Sequence, residues 1–195
     1  MNELSLLNIA ILAGAYLIGS LSSAIIVCRL MGLEDPRKSG SGNPGATNVK
    51  RLYGTKPAAI TLAGDLLKGL IPVAVVNMMG MPPALVVTVG FAAFIGHLYP
   101  VFFGFKGGKG VATMLGVMFG LSPLIGLAVA GTWLFVAKVL KISSISALVA
   151  TLLAPLYIHF ISGEPSWVAV TMIMTLILYW RHRANIMRLV RGEEK

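Results

Sequence analysis

Polar surface is what this sequence lacks. Only 12% of its 195 residues are charged, 56% are hydrophobic, and the mean hydropathy is +0.84. A soluble domain of this length needs far more polar residues to cover itself. The composition therefore implies an integral membrane protein, read as a single polytopic domain over residues 1–195. Cysteine is nearly absent. Cys28 alone makes no intrachain disulfide and no thiolate metal site, and within its apolar segment it reads as a small buried hydrophobe. Carboxylates are scarce, seven against sixteen Lys and Arg. There is no His-Glu-x-x-His and no cysteine cluster, and Glu34, Asp35, Glu193 and Glu194 are outnumbered by cations, a poor composition for a magnesium cage. No metal and no cofactor is expected. The net charge of +9 would suggest nucleic acid in a soluble protein. In a membrane protein it reads as topology and contact with anionic lipid headgroups, so no nucleic-acid partner is expected. The N-terminus also lacks the basic region and small-residue cleavage site of a signal peptide. Its apolar stretch, Leu4 to about Met31, reads as a retained first span.

A span needs about 20 apolar residues. Apolar segments run over roughly 4–31, 57–79, 83–104, 111–121, 123–140, 144–162 and 165–183. The fourth is too short to cross alone unless neighbours shield it, and a re-entrant half-helix is the alternative. Charge favours crossing. With the N-terminus outside and seven crossings, every Lys and Arg except Lys68 falls on the inner side, and the outer loops carry only Glu164. If the fourth segment did not cross, Lys138 and Lys141 would move outside. The predicted fold is an all-α bundle of seven transmembrane helices, the fourth short, with a cytoplasmic C-terminus. Residues near 40–51, 105–110, 143–146 and 181–185 then share the cytoplasmic face.

The first of these stretches, "SGSGNPGATN" (39–48), contains Gly40-x-Gly42-x-x-Gly45, the spacing of a dinucleotide loop, and Asp65 follows where a ribose-binding carboxylate is sought. A membrane helix and a charged turn precede it where a buried strand is required, so a nicotinamide nucleotide is excluded. A plain turn is one reading. The other is an anion nest, in which Gly42 and Gly45 free backbone N–H groups ahead of a short helix, Ser41, Asn43 and Asn48 add polar side chains, and Arg51 adds a planar guanidinium. "GFKGGKGVAT" (104–113) falls short of a Walker loop: three residues separate Gly104 from Gly108, and Gly110 follows Lys109. It remains a glycine loop, Lys106, Gly107, Gly108, Lys109 and Gly110, opening a helix near Val111, and so a second anion site.

His182 and Asn185 share one helical face at the end of the seventh segment. Arg181 and Arg183 beside them read as a juxtamembrane basic collar. His97 reads as a packing or hydrogen-bonding histidine, and His159, toward the outer face, is assigned no role. Asp65 and Lys68 are placed to pair inside the second segment and brace the bundle. No His-x₄-Asp acid–base pair is present; His159 and Glu164 have that spacing with Glu, on the outer side.

A cationic inner-surface site rich in backbone donors and poor in bases suits two phosphate-bearing anions brought together. Without a strong base the leaving group must already be good, and an acyl phosphate meets that condition. The stretches "GSGNPGATNVKR" (40–51), "GHLYPVFFGFKGGKGVAT" (96–113), the serines at 143–144 and "RHRANIMRL" (181–189) resemble, in order and over the whole chain, the motifs of the bacterial membrane acyl-phosphate:glycerol-3-phosphate acyltransferases, the PlsY family. The resemblance implies acyl transfer from acyl phosphate to the first hydroxyl of glycerol 3-phosphate, giving lysophosphatidic acid and phosphate at the cytoplasmic face of the bacterial inner membrane. It implies Ser41, Arg51, Lys109, His182 and Asn185 as functional positions, with Ser144 as the sixth-segment serine and Ser143 and Ser146 as alternatives. The expected partners are glycerol 3-phosphate, acyl phosphate and membrane lipids, and the oligomeric state stays open, a monomer included. A small anion transporter or channel is the rival reading, but the outer half offers few polar groups to line a path. A membrane scaffold leaves both glycine–lysine loops unexplained.

Overall fold

The computed structural model describes residues 5–194. Among them every regular element is helical. In order these are α1 (Leu6–Gly19), α2 (Ser23–Leu30), α3 (Ala46–Tyr53), α4 (Thr55–Met78), α5 (Pro83–Leu98) with a 3-10 turn at Val101–Phe103, α6 (Val111–Leu121), α7 (Pro123–Leu140), α8 (Ser143–Ile161), α9 (Pro165–Arg181) and α10 (Arg183–Val190). Local chemistry marks the starts. Pro83, Pro123 and Pro165 open α5, α7 and α9, where the missing N–H costs nothing. The Ser5 hydroxyl accepts from the Asn8 N–H and caps α1.

Four helices are long and apolar enough to cross a bilayer: α4, α5 with its 3-10 extension, α7 and α8. A fifth span results if α1 and α2 count as one. The first predicted segment is therefore not a single helix. It breaks at Ser20–Ser22 and bends by 46°; its first residue, Leu4, lies outside the described residues. A break inside a membrane frees carbonyls that no water can satisfy. Here the Lys68 ammonium donates to the Leu21 carbonyl at 2.8 Å. The short fourth segment is a helix of 11 residues, about 16 Å long, half the thickness of a bilayer core. It is wrapped by α4, α5, α7 and α8.

The pattern is that of a bundle in lipid. Leu62, Ile71, Leu127, Phe135, Leu152 and Leu176 face outward, while Thr61, Asp65, Lys68, Thr113, Thr151 and Thr171 are buried. Phe94, Leu98, Met114, Met118, Met174 and Leu178 form the core between them. Small residues let the backbones meet. A Cβ on Gly69 would strike the Thr113 carbonyl and one on Gly116 the Leu66 carbonyl, so α4 and α6 touch backbone to backbone. Gly19 and Gly96 do the same for α1 and α5.

The expected Asp65–Lys68 brace is present, with the Lys68 Nζ 2.8 Å from Asp65 Oδ1. His97 joins it, its Nδ1 at 3.6 Å from the same oxygen, close enough for charge interaction and too long for a hydrogen bond. The cluster therefore ties α4 to the break between α1 and α2 and to the end of α5. From that end the chain runs directly into the loop at 104–110.

Candidate active site

Asn48 folds the first loop. It is 1% exposed. Its Oδ1 accepts from the Ser41 N–H at 3.0 Å, and its Nδ2 donates to the Pro36 and Ser39 carbonyls at 2.9 and 3.2 Å. Both ends of the amide are spent on the backbone. Asn48, a candidate ligand in the sequence, is here the clamp that shapes the loop. Gly40 is required for this: its φ is +63°, and its backbone lies against the Asn48 Oδ1. Gly42 also turns left-handed. Gly45 caps α3, and the Asn43 side chain lies over it. Ser41 stays exposed, its hydroxyl in a long 3.5 Å contact with the Asn43 N–H. Arg51 is exposed in the last turn of α3, with no hydrogen bond among the described residues.

The second loop is held harder. The Gly107 N–H donates to the Leu98 carbonyl and the Gly108 N–H to the His97 carbonyl, each at 3.2 Å. These two amides, expected as backbone donors to an anion, are engaged with the end of α5. What remains open is the start of α6. Gly110 caps it at φ +96°, and the first intrahelical bond is Met114 N–H to Gly110 carbonyl. The N–H groups of the first turn are left for a ligand.

Lys109 projects from that turn. Its Nζ donates to Asn185 Oδ1 at 2.5 Å, which joins the loop to α10. Burial pushes the ammonium down to about 8; the Glu194 carboxylate opposes this, and Arg188, Arg181 and Arg51 reinforce it. Lys106, three residues earlier, is elsewhere. It is exposed and lines an open cleft of about 500 Å³ with Asp35, Arg37, Lys38, Phe103 and Gly104. That cleft holds none of Ser41, Arg51, Lys109, His182 and Asn185. Arg37 closes one side, paired with Asp35 at 2.7 Å and donating to the Phe103 carbonyl at 2.9 Å.

His182 sits at the joint between α9 and α10 and is 3% exposed. Its Nδ1 lies 2.9 Å from the Leu178 carbonyl. A carbonyl can only accept, so Nδ1 carries the proton and Nε2 presents a lone pair. Burial lowers the imidazole to about 4, helped by Lys109 and Arg181 and opposed by the Leu178 bond. The ring is neutral at pH 7. Asn185 donates its Nδ2 to Glu194 Oε1 at 2.5 Å. Glu194 also accepts from Arg188 Nε at 2.6 Å. Burial raises the Glu194 carboxyl, but these two bonds and the nearby Ser144 hydroxyl outweigh it and hold it below the usual range.

The three serines of α8 separate cleanly. Ser143 meets the Thr47 hydroxyl at 3.3 Å, which docks the first loop on α8. Ser146 bonds back to the Ile142 carbonyl. Ser144 alone is buried with an unpaired hydroxyl beside Glu194.

Two residues were missed by motif reading. Glu194 was counted only as a scattered carboxylate. The chain reverses at Gly192, φ +70°, and the Glu193 N–H returns to the Arg188 carbonyl, so the tail folds back onto Asn185. A glycine just past a basic helix was the available signal. Arg181 was read as collar. It instead donates to the Gly107 and Gly108 carbonyls at 3.1 and 2.9 Å. Arg183, the first residue of α10, instead reaches back to α9 and stacks on Trp180.

The cluster is thus strongly cationic around one carboxylate, open at the start of α6, and bordered by a neutral imidazole with a free lone pair. Such a place can neutralise phosphate and orient a hydroxyl.

A family model for glycerol-3-phosphate acyltransferase matches residues 9–192. The chain is 74% identical over 195 residues to the curated glycerol-3-phosphate acyltransferase of Hydrogenovibrio crunogenus, covering 100% of this chain and 93% of that protein. It is 56% identical over 189 residues to that of Thioalkalivibrio sulfidiphilus, covering 97% and 93%. Among solved structures it is similar to the glycerol 3-phosphate form of PlsY (YgiH), an integral membrane glycerol 3-phosphate acyltransferase. The TM-score is 0.91 at 38% identity, covering 96% of this chain and 94% of that one. The lysophosphatidic acid form of the same enzyme matches with a TM-score of 0.88.

Proposed function

The chain belongs to the glycerol-3-phosphate acyltransferase family, and from that premise we propose that this membrane acyltransferase moves a fatty acyl group from acyl phosphate to the first hydroxyl of glycerol 3-phosphate. The observation that carries the reading is Lys109, held by Asn185 at the open start of α6 with His182 and Arg51 close by. A related enzyme has been solved in a glycerol 3-phosphate form and a lysophosphatidic acid form, a substrate and a product of such a transfer.

Lys109, Arg51 and the first-turn N–H groups of α6 neutralise the phosphates, which otherwise repel each other. The neutral His182 Nε2 accepts a hydrogen bond from the glycerol hydroxyl and aims its oxygen at the acyl carbon. The new ester C–O bond forms as the bond from carbonyl carbon to phosphate oxygen breaks. The hydroxyl proton passes to the departing phosphate. A histidine held near 4 is a weak base for a reaction at neutral pH, so it orients the nucleophile and the donor's own phosphate takes the proton. Ser41 and Ser144 supply hydroxyl donors to the carbonyl oxygen as it gains charge. No metal enters this scheme. Seven crossings, with the N-terminus outside and the cluster on the cytoplasmic face of the inner membrane, complete the reading; the clustering of the basic loops supports it.

The test is to incubate purified protein with acyl phosphate and glycerol 3-phosphate, with and without a chelator, and to assay lysophosphatidic acid and phosphate. Equal, stoichiometric formation in both supports the proposal. Lys109→Ala and Arg51→Ala should each abolish it in protein that still inserts. Uptake into sealed vesicles without acyl transfer would favour an anion transporter.

A further inference from the structure

The Gly107–Gly108 dipeptide has every backbone polar group engaged. Its N–H groups go to the Leu98 and His97 carbonyls at the end of α5. Its carbonyls both accept from Arg181 Nη2 at the end of α9. Neither residue has room for a side chain. A Cβ on Gly107 would strike the His97 and Leu98 carbonyls, and one on Gly108 would strike the His97 ring. That ring rests on Asp65, itself paired with Lys68. The Arg181 guanidinium is further fixed over the Tyr99 ring, 5.7 Å from its centroid. The turn is thus held from both sides, and Lys109 leaves directly from it.

We propose that Arg181 is a positioning residue: it closes the Gly107–Gly108 turn from the side opposite α5 and thereby fixes where Lys109 and the start of α6 meet the substrate phosphate. The proposal rests on the reading of Lys109 as a phosphate ligand. Arg181 acts through the two carbonyls it bridges. A displacement of about 1 Å at a substrate-positioning group costs up to about 100-fold in rate, so the clamp has a measurable consequence without touching substrate. Its neighbour Arg183 is the matched control. It bears the same charge two residues away, is exposed, and stacks on Trp180 at 4.9 Å.

The experiment compares wild type, Arg181→Gln, Arg181→Lys and Arg183→Gln by amide hydrogen exchange and by glycerol 3-phosphate acylation with acyl phosphate as donor. In Arg181→Gln, exchange should accelerate across residues 105–110 and stay unchanged in α4 and α7, while kcat/KM falls about 10- to 100-fold. Arg183→Gln should match wild type in both. Arg181→Lys keeps the charge and serves if the Gln variant does not fold; its exchange in the loop should lie between the two. Lost turnover with unchanged exchange would mean that Arg181 contacts substrate itself, and overturns the proposal. Faster exchange with normal turnover overturns it too, as does an equal effect of Arg183→Gln. A wild-type protein without acyl transfer would sink the assigned reaction, yet the exchange arm would still report whether Arg181 closes the turn.

Discussion

Raising the pH should switch this site off about two units earlier than an ordinary lysine would allow. Lys109 is held near 8 because it is buried among Arg188, Arg181 and Arg51. A lowered lysine pKa means the charge needed for phosphate is complete below about pH 7 and lost as pH rises through 8. With that value about nine-tenths of the free protein carries the ammonium at pH 7 and about one-tenth at pH 9. The expected kcat/KM for glycerol 3-phosphate therefore drops about ten-fold between pH 7 and 9, and ten-fold per further unit. The assay is the initial rate of lysophosphatidic acid formation at subsaturating glycerol 3-phosphate. Spontaneous donor hydrolysis is subtracted at each pH, and rates are corrected for the substrate's own phosphate ionisation near 6. His182, held near 4, adds no further step between pH 5.5 and 7.5. Lys109→Arg, charged throughout, should be slower and lack the alkaline fall. A profile flat to pH 9.5, or an alkaline fall that survives in Lys109→Arg, would refute the assignment of this titration to Lys109.

Glu194→Gln removes the one carboxylate that raises Lys109, so the alkaline fall should move to lower pH, read from the same profile. Asp65→Asn strands Lys68 as an unpaired buried cation and should cost about 3–5 kcal/mol in detergent unfolding, with Lys68→Met on that background recovering much of it. Gly108→Ala drives a methyl into the His97 ring and should cut acylation at least about ten-fold. Asn48→Ala releases three backbone bonds of the first loop; faster proteolysis across residues 36–48, with reduced turnover, is expected.

The helical spans were legible because lipid leaves few choices: long apolar runs must be helices, and their ends carried proline or glycine signals. The break within the first segment was not. Its residues, Gly19-Ser20-Leu21-Ser22, look like the interior of an apolar helix apart from two serines. The chain unwinds there because Lys68, far along the sequence, can satisfy Leu21. The motifs named candidate site residues, and the structure brings Lys109 and Asn185 into contact. Their division of labour was hidden. Asn48 and Lys109 sit in similar glycine–polar contexts, yet Asn48 is consumed by its own loop while Lys109 reaches across to Asn185. Arg181 and Arg183 cannot be told apart by composition. The first ends α9 and meets the Gly107–Gly108 carbonyls; the second opens α10, beyond the joint at His182, and turns to Trp180.

By itself, then, the sequence determined a polytopic helical membrane protein with strongly basic loops, and the residue types a phosphate-handling site requires. Hydropathy and charge settle those matters because solvation by lipid or water acts on each residue individually. Only the tertiary structure decided which donors remain free. That depends on what each amide, hydroxyl and guanidinium meets across the bundle. The end of α5 closed the Gly107 and Gly108 amides, and burial beside Arg188, Arg181 and Arg51 lowered Lys109 into the range where it titrates near neutral pH, against the pull of Glu194 on the folded-back tail.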